Sequence, residues 1–205
     1  MRRNALRHLA VTALLGSYAC GGPKAEQRLD ESPVGTQVVV ERSDTNRPDW
    51  TLRLPEDRDG YKYFSGGEEG YTDYALGFRM AKAEALQELG ERVLGIWSWL
   101  VQTSEVGGKS EIQGYGRTYQ ELVVKEIDSG KEERYYEKVA TKTAYGVEYR
   151  YNTFVLLHIS GDEYRRAQIR ALEELGKRAR RQGNSSLREF IDESIARLNE
   201  IEKKG

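Results

Sequence analysis

Between Val147 and Ile159 the hydropathy pattern changes character, and this change constrains the fold more than any other stretch of the chain. Val147, Tyr149 and Tyr151 alternate with Glu148 and Arg150, the period of a half-buried strand with one wet face. After Asn152, Thr153 to Ile159 forms a near-continuous apolar run, as expected of a central strand covered on both sides. The two segments read as a late hairpin. Ser160-Gly161-Asp162-Glu163 follows at once with the S-x-x-E spacing of a capping box, so a helix starts where the strand stops. That helix is predicted to run to about Arg181, with Tyr164, Ile169, Leu172 and Leu175 on its apolar face and Gly183-Asn184 at its end. Ser186 to Glu189 repeats the capping spacing. Leu187, Phe190, Ile191, Ile195, Leu198 and Ile201 then line a second helix.

Upstream, Tyr61 to Phe64 reads as a short aromatic strand that Ser65-Gly66-Gly67 breaks. A helix follows from about Thr72, with Ala75, Leu76, Met80, Ala83, Leu86, Leu89 and Val93 recurring mainly at spacings of three and four. Ala81, Ala83 and Ala85 let it lie close against a sheet. Gly95 to Gln102 has two readings: Trp97, Trp99 and Val101 alternate as in a strand, and the same residues also extend the helix. Residues 105–140 are equally divided. Leu122 to Ile127 and Tyr135 to Val139 flank Asp128-Ser129-Gly130-Lys131 as in a hairpin, while Tyr115, Tyr119, Leu122 and Val123 fit a helix.

The first residues carry a different kind of signal. Arg2, Arg3 and Arg7 precede the mostly apolar run Leu9 to Leu15, and the small residues Gly16, Ser17 and Ala19 precede Cys20, the only cysteine. A cationic segment, a short apolar segment and a small-residue cleavage site form an export signal, and a cysteine directly after the cut makes it a lipoprotein signal. A membrane-spanning helix needs about 20 apolar residues, and Leu9 to Ala19 supplies roughly half of that. Cys20 is therefore the expected lipidation site, carrying a diacylglycerol anchor and an amide-linked acyl chain such as palmitate. Each buried CH₂ contributes about 0.8 kcal/mol, so several chains make attachment effectively permanent. Losing Arg2, Arg3 and Arg7 with the signal makes the formal charge of −1 more negative by three. An acidic mature chain lacks the basic footprint of nucleic-acid binding. With Cys20 acylated, the fold has to be stable without disulfides.

Gly21 to Arg47 is rich in Gly, Pro, Ser, Asp and Glu and reads as a polar tether, with one apolar island at Val38-Val39-Val40 that an edge strand would also explain. As a flexible coil it would span on the order of 30 Å. The expected organisation is a signal peptide over residues 1–19, a flexible tether over 20–46, an α+β domain over 47–161 and a C-terminal helical extension over 162–205.

The inventory of reactive groups is short. Beyond the signal the sole histidine is His158, inside the most apolar strand, where a core or sheet-face role outweighs that of a catalytic base. No Cys-His pair and no metal cluster of several His or Cys ligands can be assembled, and no cofactor is expected. Ser65-Gly66-Gly67 lies between strand and helix, where a phosphate could bind. A tight turn explains the glycines equally well, and Glu68 and Glu69 would repel an anion. Acidic residues are plentiful enough for a glycosidase pair, but nothing singles out two of them. The basic run Lys177 to Arg181 fits the last turn of a helix, where cations oppose the dipole. Thirteen tyrosines and three tryptophans suit strands and core, and also interfaces. Trp97 and Trp99 are the candidate partner contacts if both lie on a face that the domain does not cover.

A lipobox cysteine, a polar tether, Arg47-Pro48-Asp49-Trp50, an aromatic strand ending in Gly66-Gly67 and an alanine-rich helix through Ala75, Ala81, Ala83 and Ala85 together resemble the lipoprotein-twenty family of bacterial outer-membrane lipoproteins. The resemblance extends to Val147 to Ile159 and covers roughly residues 47–100 and 144–165. It implies a dodecin-like strand-helix-strand-strand domain in which a helix packs on a curved antiparallel sheet. Relatives include surface lipoproteins and components of flagellar outer rings, which act by assembling. The family brings no catalytic residue, and only the lipidation site carries over, onto Cys20. The expectation is a non-enzymatic, lipid-anchored outer-membrane protein serving as a structural or assembly module, which self-associates or pairs with an envelope protein through a sheet edge or the C-terminal helices. The alternative is a binding module for envelope glycan or a small ligand, and the third reading is a glycan hydrolase.

Overall fold

A computed structural model describes residues 29, 31–57, 60–127 and 131–202. Cys20, the signal segment and the first part of the tether lie outside the described residues. The architecture is mixed helix and sheet, with four antiparallel strands in the order β1-β3-β4-β2. The strands are β1 (Gln37–Arg42), β2 (Tyr61–Tyr71), β3 (Lys131–Thr143) and β4 (Gly146–Ser160). Between β2 and β3 run helices α1 (Tyr74–Thr103), α2 (Lys109–Gly114) and α3 (Gly116–Ile127); after β4 come α4 (Gly161–Gln182) and α5 (Ser185–Glu202). The segment from β2 to β4 is the expected strand-helix-strand-strand unit, with C-terminal helices added.

β4 is one unbroken strand of 15 residues, not a hairpin at Asn152. The Asn152 side chain accepts a hydrogen bond from Gly70 N at 3.2 Å, so it serves the neighbouring strand and turns nothing. The hairpin lies at Thr143 to Gly146, with Thr143 paired to Gly146 and the glycine at φ +135°. Leu122 to Ile127 belongs to α3, so the alternative hairpin around residues 128–131 does not form; residues 128–130 are outside the described ones. Val38 and Val39 pair with Ala140 and Val139. The tether reading fails from Gln37 onward, because the valines gain a sheet neighbour that a coil would leave in water.

Ser65 to Gly67 does not break β2 either: the strand continues to Tyr71. The glycines admit α1. A Cβ on Gly66 would stand 1.9 Å from the Ala81 carbonyl oxygen and 2.8 Å from Ala85 N. Such close approach of backbones is one reason for glycine inside a strand, and it also rotates α1. Gly77, Phe78, Ala81, Ala85, Leu89 and Val93 face inward, while Leu76 and Met80, both expected in the core, are 39% and 41% exposed. Small residues are needed where the helix presses hardest.

α3, α4 and α5 close the same side, so Phe64, Val155, Leu157 and Ile159 of the sheet share one core with Trp97, Tyr119, Leu172, Leu175, Leu187 and Phe190. The C-terminal helices complete this core and are not an appendage to it. The opposite side of the sheet buries Tyr135, Phe154 and Leu156. A single 3-10 turn, Asp49–Thr51, packs there on β2 and β4. Arg47 lies 4.8 Å from the centre of the Phe154 ring, and Arg47 and Arg42 each approach the buried Glu137 carboxylate to 3.5 Å.

Candidate functional site

Arg92 of α1 already lies over Phe64 of β2, at 4.6 Å from the ring centre, so the last turns of α1 run past the sheet and pack on helices. There Trp97 and Trp99 part company. Two residues on a helix are separated by about 200°: Trp97 is fully buried and Trp99 is 44% exposed. Trp97 packs at 5.0 Å from Tyr119 and edge-on at 5.1 Å from Phe190. It is a core residue, and its expected role as a partner contact is incompatible with this burial. The strand alternation that suggested a shared face does not apply, because the segment is helical.

Trp99 instead stands at the mouth of a groove of about 490 Å³. Ile96 and Trp99 of α1 form one wall, Leu198 of α5 another, and Tyr164 and Gln168 of α4 also line it. Lys62, Gly161, Asp162 and Arg165 line it near the start of α4. The groove exists because α4 starts directly from β4. Ser160, the last strand residue, caps the helix by accepting from Glu163 N at 3.2 Å, and Gly161 N donates to Gly60 O at 2.6 Å. Tyr164 and Gln168, one turn apart, are each only 3% exposed. Tyr164 Oη and Gln168 Nε2 are buried beside each other, without a well-formed hydrogen bond to any other protein group. Burial pushes the Tyr164 hydroxyl up to about 12, while Arg92 and the Gln168 amide pull the other way. Unpartnered buried polar atoms cost free energy and are rare in folded proteins. Trp97 Nε1 and Tyr119 Oη are likewise buried and unpartnered, and Tyr164 shares their core.

Charges beside the groove are organised. Lys62 Nζ sits 3.0 Å from Asp57 and 5.6 Å from the centre of the Tyr164 ring, and Arg92 reaches the same Asp57 at 3.0 Å. Burial would raise the Asp57 carboxyl, but Lys62 and Arg92 together hold it below the usual carboxylate range. Arg165 approaches Asp162 at 3.6 Å.

The remaining sequence candidates have structural partners. The N–H groups of Ser65 and Gly67, considered for a phosphate, donate to Glu88 and Glu84 of α1 at 2.9 and 2.6 Å. The chain's own carboxylates thus cap this edge of the sheet. His158 is half-buried, with its ring 6.1 Å from that of Tyr61. Lys177, Arg178 and Arg181 surround Glu174 at the end of α4. Among the described residues no group of three His, Cys, Asp or Glu side chains is placed to hold a metal ion. No described helix is long and apolar enough to cross a membrane.

Trp99 was a candidate from the sequence, and Tyr164 was read only as part of an apolar face. Gln168 was missed, although its signal was present: a polar residue one turn from Tyr164 on the inward face of a helix. No protein-family model, curated protein or solved structure matches this chain.

Proposed function

We propose that the chain is a non-enzymatic envelope protein, held at the outer membrane by lipid on Cys20, whose domain binds a small ligand in the Trp99 groove. The observation that carries the reading is a groove of about 490 Å³ in which the exposed indole of Trp99, with Ile96 and Leu198, meets the polar side chains of Lys62, Asp162 and Arg165. A few placed polar groups in an otherwise apolar pocket are the usual form of a small-molecule site. The sheet edge at Ser65 and Gly67 is less available for strand addition, since Glu84 and Glu88 occupy its donors. Two measurements test the proposal. Wild-type chain should fractionate with outer membranes and Cys20→Ser should be released. A thermal-shift panel of small amphiphiles and sugars should yield a stabilising compound whose effect disappears in Trp99→Ala. A panel without such a compound refutes the binding reading.

Assembly of copies or with an envelope protein is the second reading, favoured by the β3-β4 hairpin. Tyr145 at its tip is fully exposed and Tyr149 is partly so, at the opposite end of β4 from the groove. Light scattering over a wide concentration range tests it: a defined oligomer lost in Tyr145→Ser supports assembly, and a strict monomer excludes self-association.

A further inference from the structure

We infer that two adjacent turns at one end of the sheet, Pro33 to Thr36 and Thr143 to Gly146, form a foot that rests in the interface of a phospholipid bilayer. The inference rests on the lipid anchor at Cys20 proposed above, and it fixes how the anchored domain faces the membrane.

The two turns are neighbours. Gly35 N donates to Lys142 O at 2.8 Å and Lys142 N donates to Thr36 O at 2.9 Å, while Thr143 pairs with Gly146 across the hairpin. Thr36 N closes the first turn on Pro33 O at 3.1 Å, with Gly35 at φ +94° and Val34 at the tip. Val34 is 67% exposed, and Tyr145 at the tip of the hairpin is fully exposed. Charged residues make up 32% of the chain, yet none falls between Ser32 and Val40 or between Thr143 and Val147. Two exposed apolar tips thus stand side by side on an uncharged end of the domain.

The place where the anchor leaves the domain selects the occupant. Leu29 is 1% exposed and its carbonyl accepts from Ser32 N at 3.1 Å, so the domain holds the chain from Leu29, beside the first turn. Nine residue steps separate Leu29 from Cys20, and fully extended they reach at most about 30 Å. Acyl chains on Cys20 would therefore keep this end of the sheet within that distance of the bilayer. The rest of the molecule extends the other way. Gly77 of α1 lies at Thr153, Ala81 at Gly66 and Arg92 at Phe64, and Gly66 and Phe64 pair with Val155 and Leu157. The helix thus runs away from the hairpin, and its 30 residues measure about 45 Å. The end with the turns faces lipid, and the end with Trp99 faces away from it.

The side chains suit that setting. Tyrosine is enriched at membrane–water interfaces, where its ring meets the acyl boundary and its hydroxyl stays among the headgroups. A second copy is a poorer occupant. A buried tyrosine contributes about 150–250 Å², and with Val34 the tips fall short of the roughly 800 Å² per partner that a stable complex buries. The acyl chains supply the attachment, and the foot sets the orientation.

The test uses the full chain, lipidated and reconstituted in phosphatidylethanolamine–phosphatidylglycerol vesicles. Acylation consumes the Cys20 thiol, so a polarity-sensitive fluorophore can be placed on Ala144→Cys or, just past the far end of α1, on Gly107→Cys. Both positions are exposed. A lipid with a nitroxide near its headgroup should quench the Ala144 label at least about twofold more than the Gly107 label. Adding Val34→Ser and Tyr145→Ser, both on exposed turns, should abolish the difference. Flotation with the vesicles reports the anchor separately. Protein that floats but shows equal quenching of the two labels, or a difference that survives the double substitution, overturns the inference and leaves the anchor standing. Protein that does not float overturns the anchor reading and the inference with it. An Ala144 label shielded in proportion to protein concentration, and not quenched by lipid, overturns the inference in favour of contact between copies.

Discussion

Gly66→Ala tests the closest contact in the fold. The added methyl would sit 1.9 Å from the Ala81 carbonyl oxygen, 2.8 Å from Ala85 N and 2.9 Å from the Ala81 carbonyl carbon. Carbon and carbonyl oxygen pack at about 3.3 Å or more, so α1 has to retreat by roughly 1.4 Å at this point. All three obstacles are backbone atoms, so no rotamer change relieves them. Retreat also opens gaps around Phe64, Ala85 and Leu89, which share the main core. A gap of 0.5–1 Å forfeits about a quarter to a half of each contact. Overpacking costs about 1–3 kcal/mol where side chains can adjust. Here the expected loss is at least about 3 kcal/mol, or a Tm lower by about 6–12 °C at the scaling for chains of this size. Urea unfolding followed by circular dichroism measures it. Gly107→Ala is the control, because a Cβ there meets nothing within 4 Å. A cost for Gly66→Ala below about 1 kcal/mol, matching the control, would refute the close seating of α1 on β2.

Other expectations follow from the same packing. Gly95→Ala, on an exposed stretch of α1 with open space around the new Cβ, should stabilise by about 0.5–1 kcal/mol in the same urea assay. Trp97→Ala should cost about 3–5 kcal/mol as a core truncation, whereas Trp99→Ala should stay within about 0.5 kcal/mol in the absence of ligand. Equal costs would contradict the assignment of one tryptophan to the core and the other to the groove. Removing both carboxylates that cap β2, in Glu84→Ala with Glu88→Ala, should free the N–H groups of Ser65 and Gly67 and raise self-association seen by light scattering. Unchanged mass would show that the edge is protected by other means.

Alkaline titration gives a further check. Tyr135 is pushed up to about 12 by burial and by Glu137, and Tyr164 also stands at about 12, raised by its burial. Both hydroxyls hold their protons more tightly when folded than in an unfolded chain, whose tyrosines titrate near 10. Their contribution is complete below pH 10 and is lost as pH rises from there towards 12. Circular dichroism should therefore be lost in that window, and Tyr164→Phe should make unfolding less dependent on pH. Ionisation of these tyrosines below pH 11 in a still-folded protein would refute the burial argument.

Much of the secondary structure was legible because its causes are local. Ser160 caps a helix because Glu163 N lies within reach of its hydroxyl, and Gly183 ends that helix in a left-handed conformation at φ +70° that glycine adopts freely. Both are set by residues a few positions apart. The double coverage of Thr153 to Ile159 was equally visible, since no wet face interrupts the run. Ambiguities and misreadings arose where one pattern served two structures. Trp97, Trp99 and Val101 alternate as in a strand, yet they continue a helix whose preceding turns already pack on the sheet. Ser65-Gly66-Gly67 carries the glycine content of a turn, and only the closeness of Ala81 reveals why glycine is there.

The sequence by itself determined a mixed helix and sheet fold and the cap at Ser160, but it put the next cap at Ser186, where the helix starting at Ser185 is capped instead by Asn184, which accepts from Leu187 N. The tertiary structure decided which side of α1 turns inward, whether Val38 to Val40 pairs or hangs free, and which tryptophan meets solvent. It also made the groove, from Trp99, Gln168 and Leu198 on three separate helices. The division has a physical cause. Periodicity and capping depend on backbone geometry over a few residues, whereas a concave site depends on how distant surfaces settle once the tightest contacts, such as Gly66 against Ala81, have fixed the spacing.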